Sequence, residues 1–465
     1  MPRNNPVSLW NSLTAAPNLS AYVAVGAGAS ATWGELAGGC VADDRVVGLR
    51  GRSVLLATID QFAAAAALIQ LDGVASRIVL YPPDMSWEHL VFVADSAAAD
   101  VILTDQPALK SFDSRVECTV PHGPTTISRD IDWSSQLETE WILLTSGTTG
   151  LPKLVVHTLA SLASAIDPGA PSPASVVWST FYDIRRYGGL QIFLRAALTG
   201  ASLMLPGAAE STADFLSRAG AHGVTHISGT PSHWRRALMS HSAGRIAPAY
   251  VRLSGEIADQ AILNQLQSQY PQARIVHAFA STEAGVAFEV NDGLMGIPSN
   301  AIGHTSQVEM KVEGRTLRVR SNRTASCYLS EHAQPLKDAE GFVDTGDVLE
   351  FRDGRYYFVG RRDGTINVGG FKVHPEEVEA VLNRHPEVSI SLVRTKKNPI
   401  TGALVVADVV LKTKPRSVDD TALALQRDIL QFCRGELALH KVPVAINFVP
   451  ALAMAETGKL IRGHA

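Results

Sequence analysis

The sequence contains little cysteine, and its few cysteines form no recognisable pattern. Four are present, Cys40, Cys118, Cys327 and Cys433, and no two of them have the CxxC spacing of a zinc site or a redox pair. A disulfide framework of the kind that holds small secreted domains together is not indicated either. We therefore expect free, buried thiols in a cytoplasmic protein.

Long apolar runs and a strong charge bias are also absent. The longest apolar run, residues 62–69, is far shorter than the roughly 20 residues that cross a bilayer, and residues 1–7 have no apolar core of the signal-peptide type. The formal net charge of −4 gives no reason to expect nucleic acid or an anionic membrane as a partner. A chain of 465 residues is too long for one hydrophobic core, so at least two domains are expected.

From residue 50 to about 280, short β-like segments alternate with helix-like segments. Strands are predicted at 53–58, 77–81, 100–104, 175–179, 202–205, 250–254 and 274–278. Helices are predicted at 61–71, 88–95, 189–199, 213–219, 232–239 and 259–268. This alternation indicates mainly parallel sheets covered on both faces. Ligands of such sheets bind at the carboxyl ends of the strands, which here are the loops after Leu144, Leu253 and Ala278.

After residue 305 the pattern changes to short strands and tight turns, with strands predicted at 309–313, 316–320, 348–351 and 356–359. Beyond 361, a hairpin, helices at 375–384 and 419–435 and strands at 389–394 and 404–411 indicate a separate unit. We predict an α/β protein whose large amino-terminal domain, 1–360, has mainly parallel sheets with flanking helices and a β-rich subdomain at about 305–360. A small, mobile α+β domain is predicted at 361–465.

Residues 143–153, Leu-Leu-Thr-Ser-Gly-Thr-Thr-Gly-Leu-Pro-Lys, are the most informative stretch. Glycines let backbone N–H groups approach an anion closely, the hydroxyls add donors, and Lys153 adds a positive charge, so the loop suits a polyphosphate. It is not a Walker A loop, because Leu154 follows the lysine. An ordinary Gly/Ser/Thr hairpin is the alternative for a random loop of this composition.

These eleven residues resemble the phosphate loop of the acyl-adenylate-forming ligases, which include acyl-CoA synthetases, aryl-acid ligases, peptide-synthetase adenylation domains and luciferases. The resemblance implies an ATP site in this loop. The residues that it assigns to ATP there are Thr145, Ser146, Gly147, Thr148, Thr149, Gly150 and Lys153.

A second motif of the same family resembles residues 278–283. A lone Thr-Glu pair would usually be a solvated loop or a helix cap. The resemblance implies instead that Phe279 stacks on adenine, that Thr282 contacts the α-phosphate, and that Glu283 holds Mg²⁺. The usual Tyr-Gly of the family is Phe279-Ala280 here, which keeps the stacking surface but loses a hydroxyl.

Two further stretches complete the nucleotide site by resemblance. In Asp344-Thr345-Gly346-Asp347, Asp347 would accept hydrogen bonds from the two ribose hydroxyls, with Arg361 close by. Ser254-Gly255-Glu256 resembles the loop that borders adenine and the acyl pocket, and Gly255 and Glu256 are assigned to it. A plain turn at the end of a strand is the alternative for this last stretch.

The carboxyl-terminal region carries the remaining matches. A lysine near a chain end is normally a solvated surface residue, but the family has a Gly-Lys here, so Lys459 is the expected catalytic cation for adenylation, with Thr282 and Glu283. Residues 360–379 resemble the interdomain hinge and the loop lining the thiol tunnel, which assigns Asp363 to the hinge and Gly369 and Gly370 to the tunnel. Lysines common in this loop are replaced by Asn367 and Gly369.

The acyl pocket is the least readable part of the site. Phe181-Tyr-Asp-Ile-Arg-Arg-Tyr-Gly188 fits neither the aromatic-His pair of many relatives nor the aspartate that binds an α-amino group. Counting back from Gly200 places Tyr187 or Arg185, not Asp183, at the discriminating positions, which argues against an α-amino acid. The candidate pocket residues are Tyr182, Tyr187, Ser228 and Gly229. His226 and His233 are interpreted as structural.

The resemblance therefore implies an ATP- and Mg²⁺-dependent ligase that forms an acyl-adenylate from an aryl or fatty acid. The acyl group would pass to the thiol of CoA or of carrier-protein phosphopantetheine. Two alternatives remain open: a ligase that loads only an acyl carrier protein, and a non-catalytic nucleotide-binding relative. Lys459, Glu283 and the intact phosphate loop argue against the second. A homodimer is left open.

Overall fold

The computed structural model describes residues 8–15, 19–25, 29–38, 48–106, 109, 115–116, 137–145, 151–167, 170–304, 307–329, 334–368, 370–398, 402–412, 420–454 and 459–460. The described strands are β1 (Tyr22–Val25), β2 (Ala29–Thr32), β3 (Ser53–Leu56), β4 (Arg77–Leu80), β5 (Val101–Leu103), β6 (Glu140–Thr145), β7 (Lys153–Thr158), β8 (Val177–Thr180), β9 (Ser202–Leu205), β10 (His226–Gly229), β11 (Tyr250–Leu253), β12 (Arg274–Ser281), β13 (Gly285–Val290), β14 (Ile297–Pro298), β15 (Gly303–His304), β16 (Val308–Glu313), β17 (Thr316–Ser321), β18 (Cys327–Tyr328), β19 (Val343–Arg352), β20 (Arg355–Arg361), β21 (Ile366–Val368), β22 (Phe371–Val373), β23 (Val388–Asn398), β24 (Gly402–Leu411) and β25 (Ala445–Phe448).

The described α-helices are α1 (Leu9–Thr14), α2 (Trp33–Gly38), α3 (Gln61–Leu71), α4 (Glu88–Ser96), α5 (Leu159–Ala163), α6 (Tyr187–Thr199), α7 (Thr212–Ala221), α8 (Pro231–Met239), α9 (Gln260–Gln269), α10 (Pro375–Leu382) and α11 (Asp420–Glu436). No helix in the described ranges is long and apolar enough to cross a membrane.

Two large sheets form the amino-terminal part of the described chain. The first has the strand order β13-β12-β11-β10-β8-β9-β1-β2, and the second has the order β18-β7-β6-β4-β3-β5. Pairing is parallel from β12 to β1 and from β6 to β5, whereas the strands at the ends pair antiparallel. Mainly parallel sheets in an α/β fold are thus confirmed.

The main hydrophobic core joins the two sheets through α3 and α6. Every residue of the Ala-rich helix α3 is buried, and side chains of β3, β4, β8 and β9 belong to the same core cluster as those of α3 and α6. The Asp60 side chain accepts a hydrogen bond from the Phe62 backbone at the start of α3. Helix α6 ends at Gly200, which has the left-handed φ of 69° that suits glycine at a helix end.

A third, antiparallel sheet of order β14-β20-β19-β17-β16-β15 and a smaller carboxyl-terminal unit complete the described fold. In that unit, β23, β24 and β25 form a sheet beside the β21–β22 hairpin. Contacts join the small unit to the rest: Asn383 Nδ2 donates to Asp259 Oδ2 over 3.4 Å, and Ser389 Oγ lies 3.0 Å from Met239 Sδ. The large α/β part with its β-rich sheet and small α+β unit matches the predicted fold class.

Several elements differ from the sequence prediction. Strands β10, β13 and β25 were not predicted, because they lack a clear alternation of apolar and polar residues. Strand β12 continues past Ala278 to Ser281, since Phe279 still pairs with Phe288 of β13; the expected loop after Ala278 is therefore strand. Asp344 to Asp347 likewise lie within the long strand β19 rather than before a hairpin.

Candidate active site

The hairpin of β6 and β7 holds the two ends of the predicted phosphate loop together. Thr145 and Lys153 are directly paired residues of these antiparallel strands. Thr145 Oγ1 is buried and has no hydrogen-bond partner within the described chain, and a buried hydroxyl of this kind calls for an acceptor. Lys153 is exposed, with Nζ 5.4 Å from the centre of the Tyr328 ring. The predicted loop residues Ser146, Gly147, Thr148, Thr149 and Gly150 lie outside the described residues.

The Thr282-Glu283 pair lies in the tight turn between β12 and β13. Gly285 closes this turn with φ +73°, and a Cβ there would lie 2.4 Å from the Arg323 carbonyl oxygen. Only glycine fits such a position. The Tyr328 hydroxyl donates a long hydrogen bond of 3.5 Å to Glu283 Oε1, so the carboxylate keeps most of its capacity to accept other donors.

His157 of β7 connects the two motifs just described. Its Nε2 lies 2.7 Å from the Thr282 carbonyl oxygen and its Nδ1 lies 2.9 Å from Ser161 Oγ. A carbonyl oxygen only accepts, so Nε2 carries the proton. Desolvation lowers the pKa of His157 to about 4; the bond to Thr282 opposes this shift and Lys337 adds to it. The imidazole is therefore neutral near pH 7 and fixes the carbonyl before Glu283.

Asp347 and Arg361 face each other across the β19–β20 pair. Gly346 has φ +71°, and Arg361 Nη2 donates to the Thr345 carbonyl oxygen over 3.2 Å. Burial raises the pKa of Asp347, while the charges of Arg361 and Lys459 oppose the rise. A half-buried carboxylate in this position gains from hydroxyl donors of the kind that a ribose presents.

The loop after β11 connects the site to helix α8. Glu256 Oε2 accepts a hydrogen bond of 2.9 Å from the Ser232 backbone N–H, in the first turn of α8. Gly255 has φ +83°, and a Cβ there would lie 3.7 Å from Lys459 Cε, from the Tyr182 hydroxyl and from Thr230 Cγ2. The carboxyl-terminal lysine thus approaches the loop predicted to border the nucleotide.

Lys459 is surrounded by acidic groups from three different parts of the chain. Desolvation lowers its pKa; Glu256, Asp347 and Glu283 oppose this shift, and Arg361 adds to it. The side chain is nevertheless exposed to solvent. The predicted catalytic lysine and the predicted Mg²⁺ and ribose carboxylates therefore lie around one space.

Phe279 belongs to a group of three nearly parallel rings. Its ring centre lies 5.8 Å from that of Phe288 and 5.2 Å from that of Phe358, with interplanar angles of 14° in both cases. The residue remains partly exposed. It can therefore offer apolar surface to a planar base, as predicted from the aromatic at this position.

Tyr182 and Gly229 border the same loop from inside the fold. The Tyr182 hydroxyl donates to the Ser254 carbonyl oxygen over 2.7 Å, next to Gly255. A Cβ on Gly229 would lie 2.6 Å from the Phe181 ring. Ser228 is buried and pairs with Arg252 on the neighbouring strand.

The structure does not bring Arg185 to this site, whereas Tyr187 is buried with its hydroxyl beside Val286, Arg252 and Arg323. Tyr187 is part of the main core, and its ring lies 5.9 Å from that of His157. Arg185 is fully buried, where it pairs with Asp183 and donates to backbone oxygens of Thr58 and Ile59. Residue spacing alone could not reveal that these side chains face the core.

The remaining predicted residues belong to the carboxyl-terminal unit and to helix α8. Asp363 is exposed in the single helical turn Arg362–Gly364, and Gly370 has φ +89° in the exposed turn of the β21–β22 hairpin. Gly369 lies outside the described residues. His233 Nδ1 accepts from the Thr230 backbone N–H at the start of α8, and burial lowers its pKa to about 3, which fits the structural role expected for it.

A cleft that the sequence prediction missed lies between the first sheet and helix α6. It has a volume of about 440 Å³, and the residues that line it include Trp178, Arg195, His226, Tyr250, Arg252 and Arg323. His226, interpreted from the sequence as structural, is thus a partly exposed wall of this cleft. One signal was available: Arg252 is a charged residue in the middle of a buried, otherwise apolar strand, and such residues are rarely buried without a partner.

The acidic residues present fit a magnesium ion only in combination with a ligand. In the described part of the chain, no group of three or more His, Cys, Asp or Glu side chains could hold a metal ion. Mg²⁺ commonly binds through one or two carboxylates plus substrate phosphates. Glu283, with its long bond to Tyr328, is a carboxylate of that kind.

Comparison with known proteins agrees with this geometry. Residues 53–323, more than half of the chain, match the family described as AMP-binding enzyme, and residues 377–459 match the AMP-binding enzyme C-terminal domain. A 2-succinylbenzoate–CoA ligase of Bacillus cereus is 24% identical over 439 residues, which cover 89% of this chain and 88% of that protein.

A second relative matches a shorter stretch, and a solved structure shares the fold. The mitochondrial acyl-coenzyme A synthetase ACSM5 of Rattus norvegicus is 34% identical over 139 residues, 30% of this chain and 24% of that protein. The anthranilate CoA ligase AuaEII in complex with anthranoyl-AMP has a TM-score of 0.80 at 18% identity, covering 97% of this chain and 95% of that one. The chain belongs to the AMP-binding enzyme family of acyl-adenylate-forming ligases and is an acid–thiol ligase of the AMP-forming type.

Proposed function

We propose that this protein joins a small carboxylic acid to CoA in two half-reactions at the site around Lys459. In the first, the carboxylate attacks the α-phosphorus of ATP and pyrophosphate leaves. In the second, the CoA thiol attacks the acyl carbonyl and AMP leaves. The observation that carries the proposal is the approach of Lys459 to the Gly255 loop, with Glu283 and Asp347 on other sides of the same space.

The nucleotide takes its binding groups from separate strands. Thr145 supplies an unpartnered buried hydroxyl, and Lys153 supplies a cation at the other end of the phosphate loop. Asp347 accepts from the ribose hydroxyls beside Arg361, and Phe279 offers its ring to the adenine. Glu283 holds Mg²⁺, which when bound neutralises phosphate charge.

Lys459 stabilises the charge that develops when the carboxylate meets the phosphate. Both groups are anionic, so a preorganised ammonium close to both lowers the barrier. The charges of Glu256, Asp347 and Glu283 favour the protonated form of this lysine.

The second half-reaction requires Lys459 to leave, because the thiol must reach the acyl group from an accessible side. We place the hinge at Asp363, in the exposed turn after β20, with residues 1–360 as the amino-terminal domain and 361–465 as the mobile one. Gly369 and Gly370 would then line the path of the pantetheine. An acyl carrier protein in place of CoA is the alternative acceptor, and a direct comparison of the two thiols in single-turnover assays decides between them.

The test separates the two half-reactions. Lys459→Ala should lower pyrophosphate exchange roughly 10²-fold or more, the scale for removing one preorganised charged donor, and should transfer preformed acyl-AMP to CoA at near the parental rate. Asp363→Pro should do the reverse, because proline fixes φ at a position that must rotate. Lys396→Ala, on an exposed part of β23, is the control and should match the parent. Equal loss in both half-reactions for both variants would overturn the proposal.

A further inference from the structure

The cleft between the first sheet and α6 lies near the amino-terminal ends of β10, β11 and β12, whose first residues help to line it. Tyr250 and Arg252 of β11 both line it, and β11 leads directly to the Gly255 loop. At about 3.3 Å per residue, Arg252 lies about 10 Å and Tyr250 about 16 Å from Gly255 along the strand. On the other wall, Val286 of β13 lines the cleft and pairs with Ala280, next to Phe279. Strands from both walls of the cleft therefore run toward the proposed reaction centre, about 10 Å from Arg252 along β11.

Positive charge dominates the lining of the cleft. Four arginines contribute, Arg195, Arg252, Arg274 and Arg323, against the single carboxylate of Glu289. Glu289 forms an ion pair with Arg252, and Arg274 is exposed at the rim. Arg195 and Arg323 are left facing a partly buried space without a carboxylate of their own among the described residues.

Arg195 is the less compensated of these two cations. Its guanidinium carbon lies 5.8 Å from the centre of the Trp178 ring. Desolvation and then the charge of Arg252 lower its pKa, and Glu289 only partly opposes this. A guanidinium withdrawn from water and repelled by a neighbouring cation is costly unless an anion joins it.

Arg323 has only neutral acceptors in the described structure. Its Nη1 donates to the Val286 carbonyl oxygen over 2.9 Å, and its Nη2 donates to Gln307 Oε1 over 2.6 Å. Its Nε is buried and has no partner in the described chain. Desolvation lowers the pKa of Arg323 as well. The Arg252–Glu289 ion pair involves neither Arg195 nor Arg323, so it does not explain why these two arginines face the cleft.

The other walls of the cleft are aromatic. The ring of His226 lies 4.7 Å from that of Trp178 and 5.4 Å from that of Tyr250. These rings offer a polarisable surface to a flat organic body, and a volume of about 440 Å³ lies within the usual range for small-ligand pockets. Guanidinium groups bind carboxylates through paired, charge-assisted hydrogen bonds.

We infer that the acid activated by this enzyme is a dicarboxylic acid, whose second carboxylate is bound by Arg195 and Arg323 at the inner end of this cleft. The inference rests on the proposed function, because it takes the acid to react beside Lys459. Arg195 is a specificity-determining residue in this arrangement, and Arg252 is held in place by Glu289.

Pyrophosphate exchange over matched pairs of acids tests the inference. Each pair shares one carbon skeleton, aromatic or aliphatic, and differs in whether the far end is a methyl group, a neutral amide or a carboxylate. The parent enzyme should favour the diacid by roughly 10- to 150-fold in kcat/KM, the range for charged hydrogen bonds. A parental preference for monoacids would overturn the inference while leaving the proposed function intact. If none of the acids tested supports pyrophosphate exchange, the proposed function itself is overturned.

The variant Arg195→Met identifies the residue responsible. It should lose most of the diacid preference, mainly through KM, and leave monoacid exchange unchanged or improved; Arg195→Lys should recover part of the preference. Arg427→Met, on an exposed face of α11, is the matched control. Calorimetry of ATP, and of the diacid without ATP, verifies folding and binding independently of turnover. Equal losses for monoacid and diacid with Arg195→Met would make this arginine purely structural and overturn the inference.

Discussion

His157 should make the protein sensitive to acid in a way that one substitution removes. The unfolded-state pKa of histidine is about 6.5, whereas burial lowers that of His157 to about 4. Between these values the unfolded chain binds a proton that the folded chain does not, so the free energy of unfolding falls as pH falls. The contribution is complete above pH 6.5 and is lost toward pH 4. A difference of about 2.5 pKa units corresponds to about 3.4 kcal/mol.

The variant His157→Gln is the informative perturbation, because glutamine can still donate to the Thr282 carbonyl oxygen but does not titrate. The free energy of unfolding of the parent, relative to that of the variant, should therefore fall by about 3 kcal/mol between pH 7 and pH 4. Other groups that titrate in this range, such as His233, cancel in the difference. His157→Phe fills the space but leaves the Thr282 carbonyl without its donor, so it should cost about 1–3 kcal/mol at pH 7.

Urea unfolding followed by tryptophan fluorescence measures this difference, because all seven tryptophans precede residue 235 and so report on the part of the chain that contains His157. Ring signals from the 14 histidines, observed by NMR, give a direct test. The signal that disappears in His157→Gln should remain that of a neutral ring down to pH 5. A signal that titrates near pH 6.5, or a stability difference that does not change with pH, would refute the reasoning.

Three further predictions concern the nucleotide and the domain boundary. Asp347→Asn should weaken ATP binding roughly 10- to 150-fold in calorimetry, the range for losing a charged acceptor; unchanged affinity would remove this residue from the site. Gly255→Ala should lower the free energy of unfolding by about 1–2 kcal/mol, because alanine is strained at the positive φ of this position. Gly244→Ala is the control and should not lower it, because Gly244 has open space around it. Equal destabilisation of the two variants in urea unfolding would contradict the strain argument. Limited proteolysis should cut near Arg361 or Arg362 and release a fragment of about 100 residues. ATP plus acid should alter the rate of this cleavage. Resistance to cleavage both with and without these ligands would count against two mobile domains.

The nucleotide side of the site was the part that the sequence could reveal. Thr145 and Lys153 frame a loop whose composition suits phosphate whatever the acid substrate is, and they are paired across β6 and β7. Asp347 and Arg361 lie 14 residues apart in sequence, and the β19–β20 register places them opposite each other. Local backbone requirements, such as the positive φ of Gly255, favour particular residue types and can therefore be inferred from the sequence.

The acid side could not be predicted in the same way, because its residues come singly from many elements. Counting positions along the chain suggested Tyr187 and Arg185, yet Arg185 is buried against Thr58 and Ile59, and Tyr187 only reaches the cleft through its hydroxyl. The four arginines of the cleft come from α6, from β11, from β12 and from the segment after β17. Apart from Arg252, each looks in the sequence like an ordinary surface residue, and only the strand order brings it beside the others.

The two sides of the site also differ in what fixes their residues. The nucleotide is the same for every ligase of this kind, so its contacts depend on backbone N–H groups and turns that one arrangement of glycines can provide. The acid differs from one ligase to another, and side chains on rigid strands can change without disturbing the sheet. Arg252 shows the limit of that freedom: a guanidinium on a central strand is stable only because Glu289 of β13 accompanies it. Removing Glu289 would leave four arginines and no carboxylate lining the cleft. It should therefore destabilise the sheet more than removing Arg195, which has no carboxylate partner in the described chain to leave behind.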